Sequence, residues 1–206
     1  MTKENTGLKQ VGRIGQLLLE QGTISEYQAE QIVGLQNKKN VKFGEAAIEL
    51  GYLTENDISF VLARQFSYPY LKKEDLLFDE RIVVAYYPFS TYSEKLRGLR
   101  NSIHQSWIQK KRKSLCFVNN DESSSCSELI ANLSVVYSQL GEKVLVIDGN
   151  LRNGEQHQLF KLTNKLGLAD ILGGRATIDC IQKIPVFNEL YVLSAGTLAP
   201  NPQELL

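Results

Sequence analysis

"SLCFVNNDESSSCSELIANLSVVYSQLGEKVLVIDGN" (114–150) decides the fold of the C-terminal part of this chain. "SLCFV" (114–118) is a short apolar run and predicts a buried strand. From Ser127 to Leu140 the residues Leu129, Ile130, Leu133, Val136, Tyr137 and Leu140 recur at helical spacing, and Gly141 supplies a stop. "KVLVID" (143–148) predicts a second strand, with four apolar residues in a row. Continuous apolar runs joined by a helix indicate a parallel sheet covered on both faces. "ELYVLSAG" (189–196) predicts a third strand. Ligands of such sheets bind beyond the C-terminal ends of the strands, so residues 119–127 and 148–152 are expected at the rim. The first of these loops has the place of a phosphate-binding loop but contains neither glycine nor lysine.

The 206 residues suffice for one domain or two small ones. Lys and Arg number 23 and Asp and Glu also 23, so the net charge is zero, which argues against a dedicated nucleic-acid binder. No run of 18 apolar residues exists to span a bilayer, and "MTKENTGLKQ" lacks the apolar core of a signal peptide. Cys116, Cys126 and Cys180 are too few and too scattered for a disulfide framework or a metal pattern, and fit free thiols in the cytoplasm.

The N-terminal part contains an internal repeat. "RIGQLLLEQGTISEYQAEQIVGLQ" (13–36) recurs as "KFGEAAIELGYLTENDISFVLARQ" (42–65), with Gly15, Gly22 and Gln36 matched by Gly44, Gly51 and Gln65. Leu18 is matched by Ala47, Ile24 by Leu53 and Val33 by Leu62. Each copy reads as a short helix, a glycine stop and a second helix. Gly22 and Gly51 suit the left-handed residue that ends a helix. Ser25 and Thr54 suit N-caps, and Thr54 with Asp57 forms a capping-box pattern. Neither helix pair is long enough to stand alone, so the copies are expected to pack on each other.

Arg13, Ile14, Gly15, Leu18, Gly22, Ala29, Val33, Gln36 and their second-copy counterparts from Lys42 to Gln65 resemble the small N-terminal domain of type II secretion and type IV pilus assembly ATPases. Some members of that family bind cyclic di-GMP, and the resemblance implies Arg13, Gly15, Lys42 and Gly44 as contacts. Arg13 can fork onto a phosphate or stack on guanine, and the two glycines admit a close backbone approach. Lys42 cannot make the arginine fork. A helical protein–protein module, in which the glycines serve packing and caps, is the other reading.

Residues 71–90, with Pro88 near their end, read as a linker arm between the domain at 1–70 and the one at 91–206. Thr91 to Ile108 has a helix pattern with Leu96, Leu99, Ile103 and Trp107 on one side. Glu94, Arg97 and Arg100 are spaced by three and lie near one another. They read either as a solvated, salt-bridged face or as the "E-x-x-R-x-x-R" helix that they resemble in bacterial tyrosine kinases, where it joins subunits into a ring. "QKKRK" (109–113) reads as a solvated lead-in to the strand; an acidic membrane surface is the alternative.

"KVLVIDGNLRNGEQHQLFKLTNKLGLADILGG" (143–174) and "SAGTLAPNPQELL" (194–206) resemble the bacterial tyrosine kinases that regulate exopolysaccharide chain length, P-loop proteins related to MinD and ParA type ATPases. The resemblance covers roughly residues 86 to 206. It implies α/β architecture: a small helical repeat domain followed by a P-loop-type parallel sheet, incomplete at the C-terminus. In the family's acidic motif Asp148 and Arg152 are kept, Asn150 replaces an aspartate, and Gly154 replaces proline; His157, Phe160, Gly167 and Leu168 also fall at family positions. Asp148 would act near Mg²⁺ or its waters, as the catalytic and metal-facing carboxylate. With "ANLS" (131–134) setting the register, Ser127 takes the place of the Mg²⁺-binding hydroxyl and Cys126 that of the lysine. Ser125 and Ser123 take the places of glycines, Glu122 that of proline, and Asn120 the motif's first glycine.

A working loop turns backbone N–H groups around the phosphates and neutralises them with its lysine. Here a thiol replaces the charge, and Asp121 and Glu122 add negative charge, so ATP binding should be crippled; the helix start at Ser127 keeps some anion affinity. Cys126 has no adjacent histidine to make it a nucleophile. The expectation is a catalytically degenerate regulator of exopolysaccharide biosynthesis that acts by binding partners. An ATP- and Mg²⁺-dependent autophosphorylating tyrosine kinase is the first alternative, and a regulatory module of a pilus or secretion system the second. Implied partners are a membrane chain-length determinant protein or other polysaccharide export components, with peripheral recruitment to the inner membrane through that partner.

Overall fold

The computed structural model describes residues 11–65, 69–71, 75–119 and 125–205. They form two compact units, Met1–Tyr68 and Pro69–Leu206.

The first unit consists of α1 (Arg13–Glu20), α2 (Glu26–Lys39), α3 (Phe43–Glu49) and α4 (Glu55–Gln65). The repeat appears as two helix pairs with matching ends. Gly22 has φ +68° and Gly51 φ +70°. The N–H of Gly22 donates to Leu19 and that of Thr23 to Leu18, both at 3.0 Å; Gly51 donates to Ile48 and Tyr52 to Ala47 in the same way. Each short helix therefore ends in a Schellman motif, which requires the left-handed residue that the sequence supplies as glycine. Ser25 and Gln28 exchange backbone and side-chain hydrogen bonds at 2.8 and 3.2 Å. Thr54 and Asp57 repeat the pattern at the same two distances. Aspartate thus serves where glutamate is usual in a capping box.

α2 packs mainly on α3, and α1 packs on α4 more than on α2. Each short helix rests on the long helix of the other copy, so neither pair has a core of its own. The shared core holds Leu18, Ile24, Ala29, Ile32, Ala46, Ala47, Leu53 and Val61. Ile32 and Val61 are equivalent positions of the two copies, and both are fully buried.

The second unit contains α5 (Val83–Tyr86), α6 (Thr91–Ser106), α7 (Ser125–Ser138), β1 (Val144–Ile147), α8 (Gln156–Leu159), α9 (Leu168–Leu172), β2 (Gln182–Lys183) and β3 (Leu190–Leu193). The three strands form one open sheet in the order β1-β3-β2. β1 and β3 are parallel, with Val144 opposite Leu190 and Ile147 opposite Leu193. β2 is antiparallel to β3, with Gln182 opposite Val192. The sheet is therefore mixed rather than wholly parallel. The antiparallel strand arises from a hairpin through Pro185, where Ile184 donates to Leu190 at 2.9 Å.

The strand expected at 114–118 is absent. Those residues join no ladder, and Leu115 and Val118 are 42% and 86% exposed. β3 occupies one edge of β1, and no described strand pairs with the other, so that edge is open and the run at 114–118 does not take it.

α7 lies on the sheet through Ala131, Val135 and Val136, which meet Val146, Leu190 and Val192 in one core. The stretch expected as a linker arm contributes to that core: Leu71, Phe78, Ile82, Val84, Ala85 and Tyr86 are buried in it. Phe78 stacks on Phe187 at 5.9 Å and meets Phe160 edge-on at 5.7 Å. Asn132 fastens the stretch to α7. Its side-chain oxygen accepts from Val84 at 3.0 Å, and its amide nitrogen donates to the carbonyls of Arg81 at 2.7 Å and Glu128 at 2.9 Å.

Candidate functional site

β1 ends at Ile147, so the side chains that follow reach the rim of the sheet. Asp148 donates its N–H to Leu193 at 2.9 Å, which ties the loop to β3. Its carboxylate is buried. Oδ1 accepts from the N–H of Asn150 at 3.1 Å and Oδ2 from that of Gln156 at 3.0 Å. Asp148 thus closes the loop it begins, and each oxygen retains a lone pair for one more donor or a cation.

Asn150 braces the same loop. Its side-chain oxygen accepts from Asn153 at 3.0 Å and Arg152 at 3.3 Å, and its amide nitrogen donates to the carbonyl of Asn153 at 3.0 Å. An aspartate could accept but not donate, so the neutral amide suits this turn. Gly154 fills the tightest place: a Cβ there would lie 2.4 Å from Ala195 Cβ and 2.8 Å from Asp148 Oδ2. The glycine is fixed by contact with β3's end and with the aspartate.

Gln156 joins the two halves of the rim, a role that sequence reasoning missed. It is 3% exposed. Its N–H holds Asp148, and its Nε2 donates to the carbonyl of Ser127 at 3.0 Å. Its Oε1 is buried and without a hydrogen-bond partner. Ser125, Cys126 and Ser127 form the first turn of α7, and Cys126 and Ser127 are half-buried. The loop residues Asn120, Glu122 and Ser123 lie outside the described residues, as does the side chain of Ser125. Arg152 is exposed and lines a shallow cleft of about 330 Å³ with Leu198, Ala199, Pro200, Asn201 and Pro202. His157 is exposed.

Ser127, Asp148 and Gln156 offer oxygen atoms, the donor type that Mg²⁺ takes. Among the described residues no three His, Cys, Asp or Glu side chains cluster as a metal site. The described part of the rim is poor in cations, with Arg152 exposed, so a triphosphate would depend on the start of α7 for most of its compensation.

A second polar node, also missed in the sequence, holds the ends of β3 and α9 together. Asp170 is 1% exposed and accepts from Gly167 N–H at 3.1 Å, Thr197 N–H at 2.9 Å and Arg175 at 3.1 Å. Burial raises its pKa, but the hydrogen bonds from Thr197, Gly167 and Arg175 outweigh burial and bring it down to about 2. Gly196 has φ +87°, and a Cβ there would strike Asp170 Oδ2 at 2.4 Å. These residues sit beside the cleft, and they order the segment that lines it.

On α6, Glu94 pairs with Arg97, whose side chain is 12% exposed. Arg100 turns inward to the carbonyl of Val136 at 3.3 Å. In the first unit Arg13 and Lys42 are exposed at the starts of α1 and α3. Gly15 is packed: a Cβ there would lie 2.3 Å from Val11 and 3.0 Å from Phe43. A Cβ on Gly44 would meet Ile58 at 3.4 Å. Both glycines face side chains of their own unit.

The putative tyrosine-protein kinase CapB of Staphylococcus aureus is 42% identical over 120 residues, covering 58% of this chain and 52% of that protein. The tyrosine-protein kinase YwqD of Bacillus subtilis is 36% identical over 121 residues, 58% of this chain and 50% of that protein. This chain is a relative of the bacterial tyrosine kinases. A putative tyrosine-protein kinase in the cps region of Klebsiella pneumoniae extends the likeness to 82% of this chain, at 31% identity, but to 24% of its own length. The kinase domain of Escherichia coli tyrosine kinase ETK superposes with a TM-score of 0.57 at 30% identity, covering 61% of this chain and 49% of that one. The chimerical protein CapA2B2 gives 0.52 at 30% identity, covering 71% and 64%. No protein-family model matches the chain. The chain spans about half the length of CapB and YwqD. Among the described residues no helix is long and apolar enough to cross a membrane.

Proposed function

We propose that this chain is a kinase-related regulator of exopolysaccharide biosynthesis that has lost the phosphate chemistry of its relatives and acts by binding partners. The observation that carries this reading is the state of the rim. Each carboxylate oxygen of Asp148 is already engaged by a backbone N–H, and the first turn of α7 holds a thiol, Cys126, where the tyrosine kinases it resembles hold a lysine. A bound Mg²⁺ would supply charge neutralisation between Ser127 and Asp148; nothing in the loop's sequence adds the second cation that γ-phosphoryl transfer uses. The partners would be a membrane chain-length determinant or other export components, which would bring the protein to the inner membrane. Glu94, Arg97 and Arg100 are the residues proposed for self-association, and Arg13, Gly15, Lys42 and Gly44 those for cyclic di-GMP.

Titration calorimetry with MgATP, MgADP and cyclic di-GMP tests the proposal. No micromolar affinity for MgATP is expected. Micromolar binding that disappears in Asp148→Ala would sink it. The likeness to tyrosine kinases such as YwqD favours a second reading, an ATP-dependent tyrosine kinase. Phosphotyrosine appearing on the purified chain with MgATP, and lost in Asp148→Ala, would establish that reading instead.

A further inference from the structure

Between Lys95 and Asn120 the chain carries seven Lys and Arg and no Asp or Glu. With 23 cations and 23 carboxylates in all, the remainder is net acidic by seven. Four of the seven are consecutive, Lys110 to Lys113. The structure gives this run a defined shape. A 3-10 turn covers Ile108–Lys110, and Lys111 reverses the chain in the left-handed region at φ +62°. The indole N–H of Trp107 donates to the carbonyl of Ser114 at 2.8 Å and closes the loop. The Arg112 guanidinium lies 4.3 Å above the Trp107 ring. Every residue from Gln109 to Cys116 is exposed.

We infer that residues 107–114 form a preshaped cationic loop that binds an anionic phospholipid surface directly. Three of its four cations are lysines, point charges suited to a diffuse field, whereas bidentate recognition of a carboxylate favours arginine. The one arginine is stacked on Trp107. The eight residues from Gln109 to Cys116 are exposed in succession, which fits a broad charged plane better than a partner's pocket. The clamp lowers the entropy lost on docking. The inference stands apart from the proposed kinase relation, since it uses neither the rim nor a nucleotide.

Vesicle flotation of the whole chain tests it, using phosphatidylcholine with and without phosphatidylglycerol. Binding is expected only to the anionic vesicles and should weaken as salt shortens the reach of the charges. Each lysine near an anionic surface contributes about fivefold in affinity, so Lys110→Gln, Lys111→Gln and Lys113→Gln together should weaken binding about 100-fold. Trp107→Ala, which keeps every charge, should weaken it less. Unchanged circular dichroism melts would show that the variants fold. Equal binding to neutral vesicles, or a triple variant within a factor of about three of the parent, overturns the inference. So does capture by polyglutamate with no vesicle binding, which would assign the loop to an acidic polypeptide.

Discussion

The Asp170 node permits a quantitative test of the second unit. Its pKa of about 2, against 3.8 for a free aspartate, means that the ionised form is held more tightly in the folded chain. The difference corresponds to about 2 kcal/mol of stability at neutral pH. Because the folded pKa is the lower one, that contribution is complete above pH 3.8 and is lost as pH falls through about 2. Asp170→Asn retains the shape but removes the charge. It also leaves an amide where two N–H donors, from Gly167 and Thr197, converge on Oδ2. We expect the variant to be less stable by about 2–3 kcal/mol at pH 7. Urea unfolding followed by the fluorescence of Trp107, the single tryptophan and a residue of the second unit, provides the assay. The gap between parent and variant should narrow as pH is lowered from 4 towards 2, since Asp170 takes up its proton over that range, first in the unfolded chain and then in the folded one. A gap below about 0.5 kcal/mol at pH 7, or one of constant size down to pH 2, would show that these donors do not hold Asp170 in its ionised form.

Two further substitutions probe the other elements. Gly51→Ala meets no atom within 4 Å, yet its φ of +70° should make it destabilising by about 1–2 kcal/mol; Gly34→Ala, equally open in the interior of α2, should be stabilising by about 0.5–1 kcal/mol, both read from thermal melts of the first unit. Asn132→Asp replaces an amide donor that serves two carbonyls with an acceptor, and should cost about 2–4 kcal/mol and loosen the 71–90 stretch, seen as faster amide exchange at Val84.

The elements that could be read from the sequence were those whose signals are local. Gly22, Gly51, Ser25 and Thr54 act on their own helix ends, and they sit where the spacing placed them. β1 and β3 were visible as apolar runs. The run at 114–118 had the same composition but joins no ladder although one edge of β1 is open, and composition does not specify a neighbour. β2 escaped notice because it is two residues long and Pro185 follows it closely. At the rim, Asp148 was legible from its place after a strand. Gln156 and Asp170 were not, because their partners come from afar: Ser127 is 29 positions from Gln156 and Thr197 is 27 from Asp170. A polar residue in a sequence gives no sign that distant donors will converge on it.

The crossed packing of the first unit, α1 on α4 and α2 on α3, bears on how that unit can come apart. A single copy, α1 with α2, would expose the surfaces that the other copy covers, and the complementary surfaces exist on any second molecule of the same chain. A short connection, Asn40 to Lys42, keeps the two copies on one molecule. Stiffening or shortening it would send each copy to a neighbour and produce an intertwined dimer with the same internal contacts. The length of that three-residue joint therefore sets whether the repeat closes on itself or links two chains.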